Sequence, residues 1–232
     1  MITMGNYNKF AKEYAEQTEA MEKEVRKHFY SLIPGSLESK LLLDVGCGSG
    51  HDAEYYASKG AKVHGIDLSE KEIEMATKKA NGTFVVGSMN NLPYESNSFD
   101  LVTSVYALQA SDDVPKALTE MIRVAKPGAI IQVTTKHPFR NLLESHVNDK
   151  NSDYYAKRNV TSYIFNRTIE LSEPGHTMME YLHQSVVSKA TLDLFEEHSD
   201  FPASEQVISG MKYPTFMVLQ FRKKLTQGEQ NV

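Results

Sequence analysis

The sequence is short of cysteine: of its 232 residues only Cys47 carries a thiol. No internal disulfide can form, a Cys-rich zinc site is excluded, and no metal site is expected. Positive charge is also in deficit. Lys and Arg number 25 against 30 Asp and Glu, a formal net charge of −5, which argues against a general nucleic-acid binder relying on clustered cations. No apolar run approaches the roughly 18 residues needed to cross a bilayer. The opening MITMGNYNKFAKEYAEQ lacks the apolar core of a secretory signal. No membrane partner is therefore expected, and a cytoplasmic location is the simplest. Repeats and low-complexity tracts are missing, and the sequence carries no signal of oligomeric state.

What is present suits one soluble domain. Hydrophobic residues make up 41% and charged residues 24%, enough to bury a large core in a single domain over 1–232. From Tyr7 to Leu32 apolar residues recur at helical spacing, and Pro34-Gly35 closes the run, so 1–35 reads as an N-terminal helical cap. The rhythm then changes. KLLLDVG, AKVHGID, TFVVG, FDLVTSV and AIIQVTT read as strands, and HDAEYYASKG, LSEKEIEMATKKA and DDVPKALTEMIRVAKPG as helices between them. Ser69 with Glu72 three residues on forms a capping box, and Asp112 or Asp113 caps the third helix. The strands are continuous apolar runs, which predicts a doubly wound α/β fold with a mostly parallel sheet covered on both faces.

Beyond residue 136 the order weakens. Residues 137–178 are polar and aromatic with two weak strand-like stretches, an insertion after strand five that is either an acceptor-side lid or a surface excursion. MMEYLHQSVVSKATLDLFEEH then reads as helical. SEQVISG and PTFMVLQFRKK close the chain as an antiparallel pair, bringing the sheet to seven strands.

In such sheets ligands sit beyond the carboxyl ends of the strands, here 44–51, 67–68, 87–89 and 104–109. The most distinctive exit is LLLDVGCGSG, with glycines at 46, 48 and 50. A dinucleotide fingerprint counted from Gly46 needs glycine at 51, where the chain has His51; a phosphate-cradling Gly-Lys-Ser/Thr ending is missing too. What remains is G-x-G-x-G followed by Asp67 at the end of the next strand, an acid that can accept both hydroxyls of an unphosphorylated ribose.

Together these segments resemble the class I S-adenosylmethionine-dependent methyltransferases over roughly 40–135. LLLDVGCGSG and GIDLS are similar to the first two family motifs, GSMNNLPYESNSFDLVTSVYAL to the third and fourth, and VAKPGAIIQVTT to the strand that follows. The resemblance implies a Rossmann-like methyltransferase fold, S-adenosylmethionine as cofactor and S-adenosylhomocysteine as product. It implies that Asp44, Gly46, Cys47 and Gly48 lie beneath the methionine part. Asp67 and Leu68 would hold ribose and adenine, Ser88 and Met89 the adenine edge, and Ser104 the amino group through its carbonyl. Ser88 stands where the family usually has an acid. Tyr7, Tyr14 and His51 could meet the cofactor carboxylate; helical core packing for the tyrosines and solvent exposure for the histidine are the alternatives. Cys47 reads as a small spacer rather than a nucleophile.

Methyl transfer from a sulfonium is an in-line displacement that depends mainly on alignment, with a base needed only if the acceptor holds its proton. His137, just before Pro138, is a candidate base; Tyr106 and Gln109 after strand four and His176 in EPGHT are further candidates. Tyr154, Tyr155, Tyr163 and Phe165 either line an acceptor pocket or pack the insertion. The expected reaction is methyl transfer to an O, N or S atom of a small molecule. A protein or RNA acceptor, or a non-catalytic cofactor-binding module, is the alternative.

Overall fold

The computed structural model describes residues 23–148, 150, 152–156, 159–164, 169–200, 208 and 210–225. Tyr7, Tyr14, Phe165 and nearly all of SEQVISG lie outside them, as does the side chain of Tyr163. In chain order the elements are α1 (Lys23–Ser31), β1 (Leu41–Val45), α2 (His51–Ser58), β2 (Lys62–Asp67), α3 (Glu70–Lys79), β3 (Gly82–Val86) and β4 (Phe99–Val105). A 3₁₀ turn (Leu108–Ala110) leads into α4 (Val114–Val124), β5 (Ala125–Lys136) and α5 (Pro138–Asn148). Then come β6 (Asn159–Ile164), β7 (Ile169–Pro174), α6 (Met178–Tyr181), α7 (Gln184–Val187), β8 (Ala190–His198) and β9 (Phe216–Lys223).

Seven strands form one sheet in the order β3-β2-β1-β4-β5-β9-β8, and β6 pairs with β7 alone as a separate antiparallel ribbon. The first five are parallel, while β9 runs antiparallel to both β5 and β8. The order reverses between β1 and β4, which opens the crevice where such folds bind ligands. Continuous apolar runs mark the central strands because both faces are covered. Leu43 and Val45 pack with Val102, Val133 and the α4 residues Leu118, Met121 and Ile122. Neighbouring Leu42 points the other way, into Ala53 and Tyr56 of α2. Each such buried side chain contributes about 1.5–3 kcal/mol.

The caps read from the sequence form, except that the Ser69 capping box is one-sided: the Ser69 N–H donates to Asp67 at 2.9 Å. The Ser69 hydroxyl accepts the Glu72 N–H at 3.2 Å, and the Asp113 carboxylate accepts that of Lys116 at 3.0 Å. Helix α1 buries Val25 and Phe29 against Val105, Phe216 and Val218. Its last turn would leave carbonyls unpaired. Two buried glutamines supply the donors: Gln132 of β5 reaches the Phe29 carbonyl at 2.6 Å and Gln220 of β9 that of Leu32 at 3.0 Å.

Two expectations need correction. MMEYLHQSVVSKATLDLFEEH is not one helix: two single turns, α6 and α7, precede strand β8 over Ala190–His198. Its Leu and Glu residues favour a helix, but pairing of the whole segment with β9 overrides that modest preference. The closing antiparallel pair is therefore β8 with β9. The insertion also holds an unforeseen helix, α5, with Pro138 at its first position, where a missing N–H costs nothing.

Candidate functional site

Strand β1 delivers Asp44 and the glycine turn to the centre of the crevice. Gly46, Gly48 and Gly50 all adopt left-handed φ, at 73°, 49° and 84°. Their surroundings separate their roles. A Cβ on Gly46 would lie 2.1 Å from the Cβ of Ala107, and one on Gly50 would lie 2.9 Å from the Ala76 backbone, so these two permit close packing. A Cβ on Gly48 would meet only Glu72 Oε2, at 3.7 Å. Bare backbone with space before it is what a ligand can approach.

Asp67, half-buried at the end of β2, closes the turn. One carboxylate oxygen accepts the Gly48 N–H at 3.0 Å and the other the Ser69 N–H at 2.9 Å. Each oxygen keeps acceptor capacity for a further donor. The Gly46 and Cys47 amides bond the Ile66 carbonyl at 2.7 and 3.1 Å, which fixes the loop to β2. Burial raises the Asp67 pKa, opposed by those backbone donors. Asp44 is fully buried. One of its oxygens accepts the Thr103 hydroxyl at 3.2 Å and the other has no partner. Burial, and then nearby Asp52, push its pKa well up. Glu72, buried on α3, is raised to about 7 by burial and by Asp67. Among the described residues none of these three acids has a cationic partner within ion-pair distance; Arg26 pairs instead with Asp52, which also accepts the Tyr30 hydroxyl at 2.6 Å.

The remaining cofactor-side candidates fall as follows. Cys47 is buried with its thiol pKa raised by burial and by Asp44 and Asp67, opposite to what a nucleophile needs. His51 begins α2. Leu68 is 44% exposed beside Asp67. Ser88 turns the chain after β3, its hydroxyl accepting the Asn90 N–H at 3.2 Å, and the Met89 methyl would lie 3.9 Å from a Cβ placed on Gly46. The Ser104 hydroxyl is sealed inside the sheet without a partner, so only its backbone can meet a ligand.

On the other side of the crevice charges are paired. His137 is fully buried and both ring nitrogens are used: Nδ1 accepts the Phe139 N–H at 3.1 Å, and Nε2 lies 2.8 Å from Glu197. That pattern assigns the proton to Nε2 and makes the imidazole a cap on α5. Burial lowers its pKa, against the pull of Glu197. Tyr106 adopts a left-handed φ of 51° where β4 ends; its ring meets Phe216, and its hydroxyl lies 3.5 Å from Asp200. Asp200 also accepts the Thr215 hydroxyl and lies 3.6 Å from Arg140, whose Nε donates to Glu144 at 2.7 Å. Burial opposes the Arg140 charge, but Glu144 and Asp200 outweigh it and raise its pKa. Gln109 accepts from Thr135 at 3.1 Å, and its carbonyl lies 3.0 Å from His176 Nε2. Tyr154 takes the Met178 N–H at 2.7 Å and stacks near Phe139, a packing role, while Tyr155 is 76% exposed.

Arg140 and Asp200 were not among the residues singled out from sequence, and Glu72 stood there only as a helix-cap partner. The Arg140–Glu144 spacing of four is a legible helix pair; Asp200 enters only through the tertiary fold.

Residues 43–133 match the family described as a methyltransferase domain. Norajmaline N-methyltransferase of Rauvolfia serpentina is 40% identical over 118 residues, 47% of this chain and 40% of that protein. Demethylmenaquinone methyltransferase of Renibacterium salmoninarum is 33% identical over 119 residues, 49% of this chain and 50% of that one. The matched stretches thus span half or less of these relatives. Among solved structures, an S-adenosylmethionine-dependent methyltransferase from Mesorhizobium loti superposes with a TM-score of 0.64 at 19% identity, over 85% of this chain and 96% of that one. The [4+2]-cyclase SpnF superposes with a TM-score of 0.61 at 20% identity, over 88% and 81%. The shared fold therefore hosts more than one chemistry.

Proposed function

We propose that the chain, whose residues 43–133 match the methyltransferase domain family, is a class I S-adenosylmethionine-dependent methyltransferase and transfers the methyl group of S-adenosylmethionine to a small-molecule acceptor. The observation that carries the reading is the set of acids around the bare Gly48 backbone. Asp44 keeps a buried oxygen without a partner, and among the described residues no cation lies within ion-pair distance of Asp44, Asp67 or Glu72. A pyrophosphate would meet this negative field with two more negative charges; a cationic nucleoside would relieve it.

The residues present fit that cofactor. Asp67 would hold the ribose hydroxyls, Leu68 and Met89 the adenine, and the backbone of 46–48, over Asp44, the methionine end. His51 stands at the start of α2 beside this loop. Ser104 would contribute only its carbonyl. Bound there, S-adenosylmethionine supplies an activated methyl on a cationic sulfur. The protein's contribution is then to hold the acceptor in line and keep water out. Tyr106 and Asp200 are the groups we assign to acceptor contact, since they flank the exit of β4. His137 is assigned to capping and orienting α5, because both its nitrogens are engaged. The relatives are named for methylating norajmaline, malonyl-[acyl-carrier protein] and demethylmenaquinone, which supports a small organic acceptor group without selecting one.

Calorimetric titration of the full chain should show S-adenosylmethionine binding and no NAD binding. Asp67→Asn should weaken the cofactor by about 100-fold, the loss of two charge-assisted hydrogen bonds worth about 1.5–3 kcal/mol each, partly offset by the amide. Labelled methyl should then pass into a small-metabolite fraction. Label found only in protein or RNA, or unaltered affinity in Asp67→Asn, would overturn the assignment.

A further inference from the structure

Away from the glycine turn, three side chains converge that the reaction does not use. His28 lies on α1; Glu196 and His198, two apart on β8, share one face of the sheet. His28 Nε2 is 2.6 Å from Glu196 Oε2, and His198 Nε2 is 2.8 Å from the same oxygen. The three donor atoms all fall within 4.8 Å of one another, and the two rings meet edge to face with centroids 4.9 Å apart. We propose that His28, Glu196 and His198 bind one divalent transition-metal ion of the zinc class, with a further coordination position open to solvent.

The donor set suits that ion. Two imidazoles and one carboxylate are the ligands of open zinc sites and of related first-row metals, whereas calcium and magnesium favour oxygen alone. The spacing suits it as well. Ligands about 2.0–2.2 Å from a tetrahedral ion sit about 3.3 Å from each other. The present separations, from 2.6 Å up to the 4.8 Å limit, bracket that value. Side-chain rotation closes the difference, with each ring moving its proton to Nδ1. Access is open: the side chains of His28, Glu196 and His198 are 38%, 27% and 35% exposed.

The scaffold under the three ligands is fixed. His198 stacks on Phe216 with centroids 5.3 Å apart, and Glu196 sits opposite Val218 in the β8–β9 ladder. Helix α1 is tied to the sheet through the Gln132 and Gln220 bonds to its final carbonyls. The ion would join two segments 168 residues apart in sequence. Phe216 also carries the Tyr106 ring on its edge, so the ion would sit on the acceptor side of the crevice.

Chelator-treated full-length protein titrated with Zn²⁺ or Co²⁺ tests the site without reference to methyl transfer. One ion per chain should bind at micromolar metal, and the melting temperature should rise with it. Bound Co²⁺ should broaden the ring resonances of His28 and His198 and spare those of His64, on β2 near the far edge of the sheet. His28→Gln and His198→Gln should each weaken binding at least tenfold. Absence of uptake, broadening that misses His28 and His198, or variants that bind as the parent does would overturn the proposal. The broadening experiment needs no variant, so a misfolded substitution cannot obscure the answer.

Discussion

The two sides of the crevice treat charge in opposite ways. Around the glycine turn, Asp44, Asp67 and Glu72 are gathered with no cationic partner among the described residues, and all three are pushed toward the neutral form. Across the strand exits, Arg140 is matched by Glu144 and Asp200, Lys136 by Glu173 at 2.9 Å, and His137 by Glu197. The first side leaves its acids without an ion-pair partner among the described residues. The second is satisfied by the protein itself. A cation bound at the first would relieve that electrostatic strain, whereas the second could offer only shape and orientation. On the proposed function, the first side would hold the cationic cofactor and the second would orient the acceptor.

The largest test of that contrast lies on the paired side. Arg140→Ala removes the cation bonded to buried Glu144, which should cost about 3–5 kcal/mol in denaturant unfolding. Replacing Glu144 by Leu in the same protein should recover part of the loss. A penalty below about 1 kcal/mol, the range of an exposed pair, would mean that this side is not internally compensated.

The next test lies on the unpaired side. The Glu72 pKa is about 7 in the folded protein against an ordinary 4.5, so the folded state holds the proton more tightly than the unfolded chain. Stability from this group is fully present below the unfolded value. It is lost as pH rises through about 7, by on the order of 2 kcal/mol. Glu72→Gln should remove that slope, so melting curves of the ligand-free parent and the variant should diverge between about pH 5 and pH 8. Parallel curves would remove Glu72 from the uncompensated set.

The smallest effect is assigned to His137. His137→Gln should cost about 1 kcal/mol through the lost cap and leave the acid limb of the rate profile, where a general base would titrate, unmoved. Because burial lowers the imidazole pKa, its contribution is present above about 6.5 and declines as pH falls below that value. A rate profile that loses its acid limb in this variant would restore His137 as the base.

Much of the glycine-turn side was legible in the sequence because it is built from local signals. Glycine alternation, an acid closing the next strand and a serine cap are each contained in a few consecutive residues, and they land together because the parallel sheet brings β1, β2 and β4 to one edge. The acceptor side was legible only in fragments. His137 was visible as a histidine before a proline, but its engagement of both nitrogens depends on Glu197, sixty residues away on a strand whose composition favours a helix. Asp200 reaches Arg140 only because β8 folds back beside β9. His28, Glu196 and His198 have no spacing that a reader of the chain could use. Long-range antiparallel pairing created each of these meetings, and residue preference alone does not encode it.

Strand β8 has one further consequence, for the protein among its neighbours. It ends the sheet with Leu192 and Phe195 38% and 41% exposed, the pattern on which a second chain could add a strand. The ladder is interrupted between Leu192 and Leu194, and Asp193 there accepts Arg222 Nε at 2.7 Å. Glu196 and Glu197 follow directly. A strand docking on this edge would have to match a bulge and sit against two carboxylates, both of which oppose edge-to-edge pairing.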